Sequence, residues 1–303
     1  MLIFKAHAKP ITAIAFSPDG TLMATGSGTE RIARVWRLAA PGGGLLAKPE
    51  KLHEWPNDFV GNVAFSADGK IVVASGMQKL GAYTVADGKP VLEVDKASAN
   101  KLCVSSLGTI YGHGFIQTKR WALPAAKELP AWTSDEPADN YGAGPVACTS
   151  DGKRVAAFWS PKEGPGGRFE IRDAATGKVV VRCDREKVSV QPARAKFGKK
   201  DALLATSFGP DIVVWDARKG TELKTLNIGK KHVPDVGFTG GGKQLIAVSN
   251  DETVRRWDTG SWKELEAYTW KAGKLTALDV SSDGCRVASA GQAGKVVIWD
   301  VVD

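Results

Sequence analysis

Val280-Ser281-Ser282-Asp283-Gly284, followed by Val296-Val297-Ile298-Trp299-Asp300, is the stretch on which the fold turns. A tight-turn signal separates two short apolar runs, and a third run closes on an aromatic residue and an aspartate. The same order stands near the start, in Phe16-Ser17-Pro18-Asp19-Gly20 with Trp36. Between these copies the turn recurs as Asp68-Gly69, Leu107-Gly108, Asp151-Gly152, Lys199-Lys200 and Gly241-Gly242. The closing position falls at Trp36, Tyr83, Trp121, Arg172, Trp215, Trp257 and Trp299, with spacings of 47, 38, 51, 43, 42 and 42 residues. A period of this size means stacked units, none of which buries its apolar face alone.

Asp-Gly between apolar runs predicts a hairpin, because Gly tolerates the positive φ of such turns and Asp bonds its own backbone. Before the turn, Ile11-Thr12-Ala13-Ile14-Ala15-Phe16 and Leu275-Thr276-Ala277-Leu278-Asp279-Val280 read as buried strands. After it, Leu22-Met23-Ala24-Thr25 and Val287-Ala288-Ser289-Ala290 supply a second strand. A third ends at the closing residue, and a fourth follows a Gly-containing turn, as in Ala217 to Leu226. Four strands per unit and no stretch with helical periodicity predict an all-β array of four-stranded sheets.

With Trp-Asp intact at 215/216, 257/258 and 299/300, and the Phe-Ser-Pro-Asp-Gly turn at 16 to 20, the chain resembles the WD-repeat β-propeller family. The resemblance covers essentially residues 1–303 as a single domain and carries seven copies. It implies a seven-bladed β-propeller with four-stranded antiparallel blades around a central channel, the first strand of each copy innermost. The seventh copy stops after its third strand, and Leu2-Ile3-Phe4-Lys5 has no blade of its own. The N-terminal strand is therefore expected to join the last blade and close the ring, which also covers an open edge.

Many members of that family carry a buried network of His, Ser or Thr, Asp and the Trp within a blade. Here His7 stands at the expected place, but the following turn reads Gly28-Thr29-Glu30. The sixth copy has Ser249, Asp251 and Trp257, while His232 comes too late in the sequence. No copy is expected to hold the full set, so more of the rigidity should come from apolar packing.

Hydrophobic residues make up 43% and charged residues 24%, which is ordinary globular composition without a linker or charge block. Lys plus Arg, 41, exceed Asp plus Glu, 33, giving a formal net charge of +8. Such an excess favours acidic partners, although solubility alone accounts for it in many proteins. Cys103, Cys148, Cys183 and Cys285 have no CxxC spacing and lie on apolar patterns, which reads as buried free thiols and a cytoplasmic, reducing location. No signal peptide or membrane span is expected, since Lys5, His7 and Lys9 interrupt the only apolar start.

Nucleophile elbow, phosphate-binding loop, HExxH and CxxC are all missing from the sequence. The four histidines, His7, His53, His113 and His232, share no spacing, so neither a metal nor a cofactor is expected. Asp235 and Asp279 fall on inner strands, where a solvated channel wall is the plain reading and a catalytic acid the other.

Loops on a rigid scaffold are the better place for binding residues. On the face formed by loops before the first strands, Lys9, Arg185, Lys187, Lys230, Lys231, His232 and Lys271 are the candidate partner-binding cations, with Lys5 and Lys274 beside them. Glu54, Asp58, Asp135, Glu136 and Asp139 make the opposite side acidic, and Asp184, Glu186, Asp251 and Glu252 dilute the basic side. Trp55 and Trp270 fall outside the repeat positions; they are either exposed anchors for a partner or packing that fills the space of the missing histidine networks. Insertions at Ala39 to Gly44 and Ser160 to Gly167 read as linkers, the second also as a loop able to fold over a ligand.

The expected function is a non-enzymatic scaffold that binds a protein or peptide, in part acidic, through these loops. It acts as a monomer or as a subunit of a hetero-complex. A propeller enzyme using the channel is one alternative, and binding of nucleic acid or another acidic partner by the basic side is the other.

Overall fold

A computed structural model of the chain describes residues 1–301 except 40–43, 98, 100, 115–116, 134–143, 161–165, 187–189, 199 and 271. The described strands form seven four-stranded antiparallel sheets, and Gly240–Gly242 adds a single 3-10 turn. Blade 1 runs Ala13–Phe16, Leu22–Ser27, Ile32–Ala39 and Leu45–Pro56 from inside to outside. Blades 2 to 6 repeat this order along the chain. Blade 7 takes Leu275–Val280, Arg286–Gly291 and Lys295–Asp300 from the end of the sequence and Leu2–Lys5 from its start.

The inner strands are Ala13–Phe16, Asn62–Phe65, Lys101–Val104, Val146–Cys148, Ala195–Gly198, Asp235–Thr239 and Leu275–Val280. Each touches the next around the ring, and the last touches the first. Closure is as the sequence implied: Leu2 pairs with Ile298, Ile3 with Val297, Phe4 with Val296 and Lys5 with Lys295.

The repeat is legible in the pairing register. The closing residue always sits on the third strand opposite an apolar residue of the second: Trp36 faces Met23, Tyr83 faces Val72 and Trp121 faces Ile110. Arg172 faces Val155, Trp215 faces Leu204, Trp257 faces Leu245 and Trp299 faces Val287. These positions lie between blades, and each of the seven interfaces has its own apolar cluster. The core is thus a ring of small cores, and every blade shares one with each neighbour.

The hairpin turns show why Asp-Gly recurs. Ser17, Ser66, Thr149 and Ser281 donate their hydroxyls to Asp19, Asp68, Asp151 and Asp283, at 2.6, 2.6, 2.8 and 2.6 Å. Those carboxylates also accept the backbone N–H two residues on, and the glycine between takes a φ near +70°. The hydroxyl of Ser66 and that of Ser281 hold Asp68 and Asp283 below the ordinary carboxylate range. The aspartate after the closing residue has a parallel task. Asp216 accepts from the N–H groups of Arg218 and Lys219, Asp258 from Gly260 and Ser261, and Asp173 from Thr176.

Two cysteine expectations are corrected. Cys103 and Cys148, on the inner strands of blades 3 and 4, are joined in a disulfide with Cα atoms 6.2 Å apart. Adjacent first strands bring residues far apart in sequence to the same height, which no Cys spacing reveals. The thiol argument for a reducing compartment is lost for this pair, because disulfides persist in oxidising surroundings. Cys183 is buried as expected, whereas Cys285 is exposed beside the last hairpin turn.

His113 ties blade 3 to blade 4. Its Nε2–H donates to the Phe158 carbonyl at 2.8 Å, and its Nδ1 accepts from the Thr118 hydroxyl at 2.9 Å, so the neutral ring is satisfied on both sides. Burial lowers its pKa from 6.5 to about 4, against the opposing pull of the Phe158 carbonyl. The unfolded chain therefore binds the proton more readily between those values, and stability falls as pH drops from 6.5 towards 4. At about 1.4 kcal/mol per pH unit the loss approaches about 3 kcal/mol. Urea midpoints measured across this range are expected to fall, and His113→Gln is expected to flatten the slope. An equal slope in the variant would refute the assignment. His7, also lowered chiefly by burial, acts in the same direction.

Candidate functional site: the top face and the channel mouth

Loops that precede the inner strands share a face with the turns between second and third strands, and hydrogen bonds from loop N–H groups join the two sets. The Lys9 N–H donates to Glu30 Oε1 at 2.8 Å, Val233 N–H to the Gly209 carbonyl at 2.7 Å, and Gln292 N–H to the Lys274 carbonyl at 2.9 Å. Asp58, expected as part of an acidic side, accepts from the N–H groups of Gln78 and Lys79 and so caps the turn of its own blade.

The predicted cations divide into two groups. Lys9, Lys230, Lys231 and His232 are exposed, and their side chains make no hydrogen bond or ion pair among the described residues. Lys274 joins them on the next loop. Together they form an arc over blades 6, 7 and 1, with Glu252 also exposed in a turn of blade 6 on this face. Arg185 is different: its guanidinium lies 4.9 Å from the Phe208 ring centroid and 3.7 Å from Asp211. Lys5 is bound to the Ala293 carbonyl at 2.6 Å. Lys187 and Lys271 lie outside the described residues, as do Asp135, Glu136 and Asp139, positions 40–43 of the first insertion and 161–165 of the second.

Trp55 and Trp270, the two candidate anchors, both pack. Trp55, 8% exposed, lies on the outer strand of blade 1. Its ring stacks 4.7 Å from that of Tyr83 in blade 2, and its Nε1–H donates to the Gly88 carbonyl at 2.9 Å. It fills the interface where Tyr replaces the closing Trp, and an exposed anchor is excluded there. Trp270 is partly buried against Trp299 and Tyr268, with ring centroids 5.3 and 4.9 Å away.

Blade 1 does contain a complete polar network, contrary to expectation. Trp36 Nε1–H donates to Thr25 Oγ1 at 2.9 Å, the Thr25 hydroxyl reaches His7 Nε2 at 2.8 Å, and His7 Nδ1–H meets Glu30 Oε2 at 2.9 Å. Glu30, one methylene longer than Asp, spans the gap from the turn. Burial works against its charge, but the bonds from His7 and Lys9 hold its carboxyl below the ordinary range. Blade 5 keeps one link, Trp215 Nε1–H to Thr206 Oγ1 at 3.0 Å. His232 stays on the surface and joins no such network.

All seven inner strands line a central cavity of about 290 Å³. Its two acids are structural ties rather than a solvated wall. Asp235, 2% exposed, accepts the Leu278 N–H of blade 7 at 3.0 Å and lies 3.3 Å from Arg194. Asp279 accepts the Phe16 N–H of blade 1 at 2.9 Å and lies 3.3 Å from Lys196. At the top end, Arg194 of blade 5 reaches Asn62 of blade 2, and Lys101 of blade 3 reaches the Ala193 carbonyl at 3.3 Å. Sequence reading passed over Lys101 and Arg194. Their signal is positional: Lys101 is the first residue of its inner strand and Arg194 immediately precedes the next.

A second concavity, about 560 Å³, opens between the hairpin turns of blades 4 and 5. Lys153, Arg154, Lys200 and Arg218 stand there beside Asp151, Asp173 and Asp201, with Val180 48% exposed. Ser150 fastens the two turns by donating its N–H and hydroxyl to Asp201. Among the described residues, no group of three or more His, Cys, Asp or Glu is placed to hold a metal ion, and no helix is long and apolar enough to cross a membrane.

The family described as "WD domain, G-beta repeat" matches residues 1–37 and 263–300. Each match begins on the fourth strand of one blade and ends on the third strand of the next, so the sequence unit straddles two blades, as ring closure requires. Over 130 residues the chain is 28% identical to WD repeat and SOCS box-containing protein 1 of Xenopus tropicalis, covering 42% of this chain and 31% of that one. Over 107 residues it is 30% identical to cilia- and flagella-associated protein 52 of Homo sapiens, covering 35% and 17%. Over 91 residues it is 29% identical to autophagy-related protein 16 of Arabidopsis thaliana, covering 30% and 18%. The matches thus span less than a third of each relative. With seven four-stranded blades closed by the first strand, and a closing residue at one register in all of them, the chain is a seven-bladed β-propeller whose first and last repeats match the WD-repeat family.

Proposed function

We propose that this propeller is a non-enzymatic scaffold that binds an acidic segment of a protein partner along the arc of Lys9, Lys230, Lys231, His232 and Lys274. WD-repeat propellers are in general protein-interaction scaffolds. The observation that carries the finer reading is that these exposed cations cluster on the same-face loops of three consecutive blades and have no side-chain partner among the described residues. Several arginines elsewhere on the surface are paired instead: Arg34 with Glu54, Arg37 with Glu50, Arg256 with Glu266 and Arg286 with Asp300. A row of unpaired charges raises the rate of encounter with an opposite charge and weakens as salt rises. The commitment of Asp235 and Asp279 to ties between blades supports a scaffold over a channel enzyme, since neither carboxylate is spare for proton transfer.

The test is charge reversal. Partners captured with the wild type from native cells are identified, and their affinities are measured directly with purified proteins. Lys230→Glu with Lys231→Glu is expected to weaken binding at least about tenfold, equivalent to about 1.4 kcal/mol, mostly through slower association. The melting temperature is expected to stay within about a degree, because both residues are exposed and unbonded. Unchanged affinity for every partner would move the interface to another face.

A further inference from the structure

We propose that the top mouth of the channel is a receptor for one small oxyanion, of the carboxylate or phosphate class, held between Lys101 Nζ and the Arg194 guanidinium. The site is separate from the arc of loop cations and does not depend on it. It rests on the pairing of charge in the lumen. Three cations line the cavity, Lys101, Arg194 and Lys196, against two anions, Asp235 and Asp279. Asp279 is taken by Lys196 and by the Phe16 N–H; Asp235 is taken by Arg194 and by the Leu278 N–H. Lys101 is left over. Its single hydrogen bond goes to the Ala193 carbonyl at 3.3 Å, and no carboxylate lies within ion-pair distance among the described residues.

A part-buried cation without a contacting counter-charge is costly, and the nearest internal relief, the Asp235 carboxylate, is already bound to Arg194. Burial, and then the neighbouring Arg194 charge, push the Lys101 ammonium down to about 8, which still leaves it charged at neutral pH. The Arg194 guanidinium is fixed beside it. Nε faces Asp235 at 3.3 Å and Nη1 is bound across the lumen by Asn62, so the group is held from two blades, and Nη2 makes no hydrogen bond among the described residues. An oxyanion placed between a held guanidinium and an ammonium gains charge-assisted bonds with little ordering of the protein. The cavity of about 290 Å³ has room for such an ion with its water. An external anion completes the charge pairing of the channel, as the two aspartates do for the other cations.

The experiment uses the whole chain in phosphate-free buffer, with sodium phosphate, sodium acetate or sodium chloride added at matched ionic strength. The wild type is expected to gain melting temperature saturably with phosphate or acetate over chloride, because a ligand of the folded state stabilises it by mass action. Response to phosphate alone or to acetate alone assigns the source of the oxyanion. Lys101→Met is expected to abolish the gain, while Lys230→Glu with Lys231→Glu keeps it, which separates this site from the top-face arc. The second readout is the Lys101 side-chain resonance in protein labelled with 13C-lysine: its pKa is expected to rise as the anion is added. This measurement decides the question alone if Lys101→Met does not fold. No anion-specific change in melting or in the Lys101 titration, or a gain retained by Lys101→Met, overturns the proposal.

Discussion

Deletion of residues 1–6 is expected to lower the melting temperature by about 10 °C or more, the larger of the two stability effects that the fold implies. Leu2 and Ala6, 9% and 2% exposed, belong to the apolar cluster shared by blades 7 and 1, together with Val296, Ile298, Phe16 and Met23. Phe4 lies edge-on to Trp36, with centroids 5.3 Å apart, and the Ala6 carbonyl accepts from Arg34 Nη1 at 2.7 Å. Burying side chains of this kind is worth about 1.5–3 kcal/mol for each large one, so the loss reaches roughly 5 kcal/mol. That figor converts at about 2 °C per kcal/mol, the low end for larger domains. The pairing of Leu2–Lys5 with Lys295–Asp300 is lost as well, which uncovers the edge of blade 7.

A finer version of the experiment uses the alternation of the strand. Leu2 points into the cluster while Ile3 is 46% exposed on the other face. Leu2→Asp is therefore expected to reproduce most of the deletion, and Ile3→Asp to change the melt by no more than a degree or two. Thermal unfolding followed by near-ultraviolet circular dichroism would report both. Equal, small effects would mean that the ring holds without its first strand.

The parts of the fold legible in sequence were those set by local chemistry. Asp19-Gly20, Asp68-Gly69, Asp151-Gly152 and Asp283-Gly284 announced hairpins because the turn is made by the aspartate, the glycine and a hydroxyl two residues earlier. The closing residues announced the third strand because the contact with the second-strand residue opposite is repeated in every blade. What was illegible was set by contacts between blades. Cys103 and Cys148 are 45 positions apart and meet only because inner strands stand side by side. Glu30 replaces the expected Asp by reaching further, and residue-type matching discards a network that distance restores. Sequence favours packing over an anchor for Trp55 only slightly, and the ring of Tyr83 beside it decides for packing. Lys101 looks like any surface lysine until six other strands surround it.

Arg172→Ala is the other large effect expected, a loss of about 3–5 kcal/mol, because it breaks a buried ion pair and removes the guanidinium that holds two carbonyls. Arg172 stands where five other blades have Trp, at 4% exposure, and Glu170 two residues earlier is fully buried. Arg172 Nε and Nη2 donate to Glu170 Oε2 at 3.2 and 2.6 Å. Nη2 also reaches the Thr133 carbonyl at 2.6 Å, and Nη1 the Gly177 carbonyl at 3.0 Å. The guanidinium therefore links its own outer turn and the chain leaving blade 3, which an indole in the same place does not do. Restoring the family residue alone is expected to fail: Arg172→Trp removes the ion pair with buried Glu170 and the bonds to the Thr133 and Gly177 carbonyls, so it should destabilise nearly as much as Arg172→Ala. The pair Arg172→Met with Glu170→Leu removes both charges at similar volume and is expected to recover most of the loss. A double-mutant cycle from urea melts measures the coupling. Singles and the double that simply add would show that Arg172 serves the two carbonyls rather than Glu170. A strong coupling would show instead that blade 4 exchanged an indole for an ion pair as one unit, so that neither residue can revert without the other.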